Sequence, residues 1–187
     1  MRVISGISKG RKLVAPQNLK IRPTTDSTKE FIFNYLGDVV VDTKVLDLFA
    51  GTGNLGIEAL SRGAQQVIFI ERNKVVAQVI HKNLKLTQFQ SQSQVIMNDV
   101  FKSIKWLVKR KLKFDLIFAD PPYHGSQYVK LLNAIDENSL LSKNGILIFE
   151  HQSKESMTID FTNLNIQESK LLGNTAISFF TNIGATH

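Results

Sequence analysis

The chain has 187 residues, which fits one domain and leaves no room for a second full one. A hydrophobic fraction of 43% supports a continuous core, and the absence of cysteine excludes disulfides, cysteine-ligated zinc, iron–sulfur clusters and thiol nucleophiles. Lys and Arg number 23 against 16 Asp and Glu, and the resulting charge of +7 favours polyanionic partners without separating RNA from DNA or anionic lipid.

The N-terminus, Met1-Arg2-Val3-Ile4-Ser5-Gly6, lacks a signal-peptide pattern, and no segment approaches ~18 consecutive apolar residues. A soluble cytoplasmic protein is therefore expected. Arg2–Ile4 and Lys12–Val14 read as two short strands of a basic hairpin around Gly6–Gly10. Arg22-Pro23-Thr24-Thr25-Asp26 breaks the chain, and Ser27 with Glu30 fits a capping box opening a helix that ends at Gly37. From Lys44 onward strands and helices alternate. Strands are expected at 45–49, 66–70, 94–97, 114–119 and 145–150, with helices near 55–61, 74–86, 104–110 and 128–135. The tail, 166–172 and 176–181 around Gly173-Asn174, reads as an antiparallel pair. The expected fold is α/β, a doubly wound, mostly parallel sheet with an antiparallel C-terminal hairpin and a small N-terminal hairpin and helix. The histidines at 81, 124, 151 and 187 are scattered and form no metal-ligand pair.

Chemistry enters at Val45-Leu46-Asp47-Leu48-Phe49-Ala50-Gly51-Thr52-Gly53-Asn54-Leu55-Gly56, where Gly51, Gly53 and Gly56 have the G-x-G-x-x-G spacing between strand and helix. Glu71 closes the next strand 20 positions beyond Gly51, where a carboxylate accepts the hydroxyl hydrogens of an adenosine ribose. The pattern admits a nicotinamide dinucleotide or S-adenosylmethionine. Asp47, at its strand's end, would repel a pyrophosphate and suits a methionine ammonium and a sulfonium. Asp99, after the third strand, suits the adenine amino group.

Asp120-Pro121-Pro122-Tyr123 follows the fourth strand at the ligand crevice of such a sheet. Two prolines stiffen the backbone and remove N–H donors, leaving a rigid acceptor surface. An exocyclic amino group is a poor nucleophile, because its lone pair is delocalised into the ring. Acceptance of its two hydrogens by the Asp120 carboxylate and the Pro121 carbonyl rotates the nitrogen toward tetrahedral geometry and stabilises the cation that forms. Tyr123 offers a face for an extruded base, worth ~1–3 kcal/mol. His124 reads as a loop residue, since no base is needed before attack.

These residues resemble the RsmD family of bacterial 16S ribosomal-RNA guanine-N2 methyltransferases over nearly the whole chain. The resemblance runs through Arg2–Gly6, Gly10–Leu13, Arg22–Asp26, Glu30, Phe33–Leu36, Asp47–Gly53, Glu58–Ala64 and Asp120–Tyr123. It implies one seven-stranded, Rossmann-like class I methyltransferase domain, with residues 1–40 an extension for RNA and active-site closure and 41–187 the catalytic core. It implies action on one guanine of 16S rRNA in an assembled or nearly assembled small subunit; a monomer with no metal is expected. Asp47, Phe49, Ala50, Gly51, Gly53, Glu71, Arg72, Asp99 and Val100 would bind S-adenosylmethionine, and Asp120–Tyr123 the guanine. Arg2, Lys9, Arg11, Lys12, Arg22 and Thr24 would face RNA, the last two near the active site. Ser27 and Thr28 depart from the family, whose members often carry a basic and an apolar residue there. Against this reading stand an adenine-N6 methyltransferase, a protein-glutamine methyltransferase, a non-catalytic RNA-binding module and a nicotinamide dehydrogenase.

Overall fold

The computed structural model describes residues 1–16, 24–122, 127–154 and 161–183. Seven strands form one sheet: β1 (Lys44–Leu48), β2 (Gln66–Ile70), β3 (Ser93–Ile96), β4 (Phe114–Ala119), β5 (Leu141–Gln152), β6 (Leu164–Leu172) and β7 (Thr175–Asn182). Their order is β3-β2-β1-β4-β5-β7-β6. The first five run parallel, and β7 lies antiparallel between β5 and β6. The central strands are apolar on both faces because helices cover both. On one side Val45, Val67, Phe69, Leu116 and Phe118 pack with residues of α1 (Asp26–Leu36), α2 (Asn54–Ser61) and α3 (Lys74–Thr87). On the other, Leu46, Leu48, Ile68, Ile117 and Leu147 pack with residues of α4 (Val100–Lys109) and α5 (Gln127–Glu137). No helix among the described residues is long and apolar enough to cross a membrane.

Several boundaries differ from the sequence expectation, each for a local reason. The cap of α1 is Thr25, whose hydroxyl accepts from the Thr28 N–H at 3.1 Å, so the Ser27–Glu30 capping box is not formed. Thr25 wins because α1 begins two residues earlier than that box requires, and its hydroxyl also meets Ser27 Oγ and Thr28 Oγ1, each at 2.9 Å. Strand β1 stops at Leu48, since Phe49 has φ 58° and leaves the extended region. Helix α4 opens at Val100 rather than Ile104, because Asp99 caps it by accepting from the Lys102 N–H at 3.1 Å. Strand β5 runs from 141 to 152, beyond the expected 145–150, extended at its far end by pairing with β7 through Gln152.

The N-terminal hairpin is the largest departure. Its two strands reduce to a single bridge, Arg2 to Lys12, flanked by backbone hydrogen bonds from Val3 N–H to Arg11 (3.0 Å) and Gly10 N–H to Val3 (2.8 Å). The next donors are taken elsewhere: Ile4 and Ser5 N–H groups go to the Glu58 carboxylate at 2.9 and 3.0 Å, and Ile7 N–H to the Ser61 carbonyl at 2.8 Å. A Cβ on Gly6 would stand 1.7 Å from that carbonyl, so the turn lies directly on the end of α2.

Candidate active site

The register across the sheet brings several of the residues expected to carry chemistry to one end of the strands. Ile96, Ile70, Leu48, Ala119 and Phe149 pair in one row across β3, β2, β1, β4 and β5. The residues one step beyond them, Met97, Glu71, Phe49, Asp120 and Glu150, therefore stand side by side at the strands' C-terminal ends. Neighbouring strands lie about 4.8 Å apart. The chain proceeds from β1 toward β2 and β3 on one side and from β4 toward β5 on the other, which makes the β1–β4 boundary the switch point where open α/β sheets hold ligands.

On the β1 side the glycine turn is pinned from several directions. Gly51 and Gly53 have φ of 54° and 78°, conformations that side-chain-bearing residues rarely adopt. Glu71 accepts the Gly51 N–H at 3.1 Å through Oε2 and the Asn73 N–H at 2.7 Å through Oε1. The Ala50 N–H donates to Ile70 at 3.0 Å and the Gly53 N–H to Ala50 at 2.7 Å. Asp47 is buried beneath the turn, where Oδ2 accepts the Gly56 N–H at 3.0 Å. Desolvation, with a further contribution from Glu71, pushes its carboxyl up to about 7 against the opposing effect of the Gly56 hydrogen bond. Gly56 itself allows helix α2 to lie close on the sheet, since a Cβ there would stand 2.4 Å from Phe69 Cε1. Arg72 is exposed and Phe49 half-buried, while Val100 is buried in the core below. Asp99 is half-buried with Oδ1 engaged as the α4 cap.

On the β4 side Asp120 is half-buried, Pro121 buried and Pro122 exposed. Tyr123 and His124 lie outside the described residues, as does Arg22. Glu150 comes beside Asp120 by register, a second carboxylate that the sequence reading did not single out. Of the residues expected to face RNA, Arg2, Lys9, Arg11 and Lys12 are exposed on the hairpin, and the last three line one groove with Ile7 and Leu86. Arg2 is paired with Asp26 at 3.1 Å. The Thr24 carbonyl accepts from Asn54 Nδ2 at 3.1 Å, at the start of α2.

The sequence reading also missed the buried polar cluster that seats the hairpin. Lys29, fully buried, donates through Nζ to the Arg2 carbonyl, to Asn54 Oδ1 at 3.0 Å and to Glu58 Oε2 at 3.3 Å. Burial pushes the Lys29 ammonium below its ordinary range, a shift opposed by Glu58. Arg62 adds a bond to Glu58 Oε1 at 3.0 Å. Its signal was a lysine and a glutamate at core-facing helical positions, beside Ile32 and Phe33 and beside Ile57 and Ala59.

A family model described as "Conserved hypothetical protein 95" matches residues 1–181. The chain belongs to this family. Relatives at this level include "Putative rRNA methyltransferase YlbH" of Bacillus subtilis (strain 168), 39% identical over 98% of this chain and 100% of the relative. "Ribosomal RNA small subunit methyltransferase D" of Escherichia coli (strain K12) is 31% identical over 96% of this chain and 89% of its own. Among solved structures, "Putative methyltransferase yhhF from Escherichia coli" superposes with a TM-score of 0.85 at 30% identity, covering 100% of this chain and 99% of the other. It is the family that the sequence motifs resemble.

The donor set fits the cofactor that those motifs imply. Two carboxylates, Asp47 and Glu71, converge on the glycine turn with no Lys or Arg bonded to either among the described residues. Such a site disfavours a pyrophosphate and favours a ligand carrying positive charge and hydroxyl donors.

Proposed function

We propose that the protein transfers a methyl group from S-adenosylmethionine to the N2 amino group of one guanine in 16S rRNA of the small ribosomal subunit. The observation that carries this reading is the juxtaposition, across the β1–β4 switch point, of a carboxylate-lined glycine turn and Asp120-Pro121. The chain is a methyltransferase of ribosomal RNA and depends on S-adenosylmethionine.

In this mechanism Glu71 orients the ribose by accepting its hydroxyl hydrogens, Asp99 takes the adenine amino group, and Asp47 answers the ammonium. The bound cofactor supplies an electrophilic methyl group on a sulfonium. Asp120 and the Pro121 carbonyl each accept one hydrogen of the guanine amino group, aiming the nitrogen lone pair at that methyl carbon. As the N–C bond forms and the C–S bond breaks, the Asp120 carboxylate stabilises the positive nitrogen. The surplus proton then leaves the nitrogen, and Asp120, already its acceptor, takes it for release to water. Tyr123 keeps its stacking role on the strength of the sequence alone.

Residues 1–40 serve RNA and 41–187 the chemistry. Arg2, Lys9, Arg11, Lys12, Arg22 and Thr24 contact a substrate that is an assembled or nearly assembled subunit, met by a monomer in the cytoplasm. Replacement Asp120→Asn tests the assignment, because it keeps shape and removes the charge. Turnover is expected to fall by about 10²–10³-fold, while S-adenosylhomocysteine affinity by calorimetry stays within a few-fold. Activity within tenfold of the parent would refute the role given to Asp120.

A further inference from the structure

Helix α3 turns Ile80, Asn83, Leu84 and Thr87 to the interior, and three of these make ordinary core contacts or bond their own helix. Asn83 is different. It is completely buried, a position where an unbonded amide is costly, and all its side-chain bonds go outside its helix. Nδ2 donates to the Thr52 carbonyl at 2.9 Å and the Val14 carbonyl at 3.1 Å, while Oδ1 accepts the Val14 N–H at 2.8 Å. The partners are two carbonyls and one N–H, so only this amide orientation satisfies them.

Thr52 lies between the two turn glycines. Its carbonyl and the Gly53 N–H belong to one planar peptide and point in opposite directions. Asn83 holds the first, and the Ala50 carbonyl holds the second at 2.7 Å. Glycine at 53, with φ 78°, otherwise leaves that peptide free to flip between turn types at little cost. The turn is braced from the hairpin a second time, by Thr52 Oγ1 donating to Met1 Sδ at 3.3 Å.

We propose that Asn83 is a positioning residue for methyl transfer, locking the Thr52–Gly53 peptide in its cofactor-binding orientation and making the seating of the N-terminal hairpin, through Val14, part of that lock. This rests on the reading of the glycine turn as the cofactor site. It follows that cofactor binding and the Val14–Asn83 contact stabilise each other.

The test is Asn83→Asp, which keeps the shape and the acceptor for Val14 but replaces the two-donor amide nitrogen with a carboxyl oxygen able to donate one hydrogen bond at most. S-adenosylhomocysteine Kd and the S-adenosylmethionine KM are expected to rise about tenfold, with kcat at saturating cofactor within twofold. A merely destabilised fold lowers the active fraction and hence kcat, without moving KM. Gly53→Ala is measured alongside, because its Cβ is both conformationally strained and 3.2 Å from Ile80 Cγ2. If Gly53→Ala weakens binding and Asn83→Asp stays within twofold of the parent, this inference is overturned and the turn assignment stands. If Gly53→Ala binds like the parent, the turn assignment itself fails and the inference with it. Should Asn83→Asp not fold, amide exchange in the unaltered protein decides. The Val14 amide slows on saturation with S-adenosylhomocysteine under the proposal, and an unchanged rate there overturns it.

Discussion

Sealed under a backbone turn, the Asp47 carboxyl is held to about 7, above its ordinary value, chiefly by desolvation. A raised carboxyl pKa means that the folded chain binds a proton more tightly than the unfolded one between about pH 4 and 7. This group therefore favours folding most at the acid end and withdraws that support as pH rises to 7, by on the order of 4 kcal/mol at most. Other carboxylates act in the opposite sense, so the comparison with Asp47→Asn isolates it. The stability difference, parent minus variant, is expected to fall across pH 4.5–7.5 in denaturant titrations. A flat difference would count against the buried carboxyl as its cause. An ammonium at the turn selects the ionised form, so cofactor affinity is expected to rise over the same interval in the parent and to lose that slope in the variant.

At the level of elements, Asp136 near the end of α5 shows how one side chain fixes a connection. Its carboxylate accepts the N–H groups of Thr162, Asn163 and Leu164 at 2.8, 2.7 and 2.9 Å, seating the entry to β6. Asp136→Ala leaves three donors without their partner and is expected to cost about 3 kcal/mol, lowering the melting temperature by roughly 6–12 °C while leaving the sheet's ligand end unaltered. A shift below 2 °C in calorimetry would show that water or rearrangement replaces those bonds. Alternating strand and helix patterns made the sheet, its parallel strands and the terminal hairpin legible beforehand, because burial on both faces writes itself as apolar runs such as Val67–Ile70. Boundaries set by single side chains were less legible. Thr25 displaced the Ser27 cap, and Asp99 started α4 one turn early while also standing where an adenine contact was expected. The hairpin's loss of strand character was hidden because its donors are claimed by Glu58 and Ser61, more than fifty positions away. Glu71 and Asp120, which follow directly on β2 and β4, were visible as carboxylates ending strands, whereas Glu150 was not singled out. Asn83 and Lys29 were not, since a polar residue on an apolar helix face reveals nothing of its partners until the chain has folded.

For the whole molecule, the basic hairpin and the glycine turn are joined through Lys29, Glu58 and Asn83, so an RNA docked on the hairpin, as proposed, would bear on the same body as the proposed cofactor turn. Lys9, Arg11 and Lys12 are exposed, and replacing all three by Gln is expected to weaken RNA binding and reduce the slope of log K against log salt by roughly 2–3. An unchanged slope in filter-binding titrations would remove the hairpin from the RNA interface. The reaction itself is read by transfer of labelled methyl from S-adenosylmethionine to small ribosomal subunits from a strain lacking this activity, followed by nucleoside analysis. Labelled N2-methylguanosine in 16S rRNA, absent with Asp120→Asn, is the expected result. Label in another nucleoside, in DNA or in protein, with none in the subunit's guanines, would contradict it.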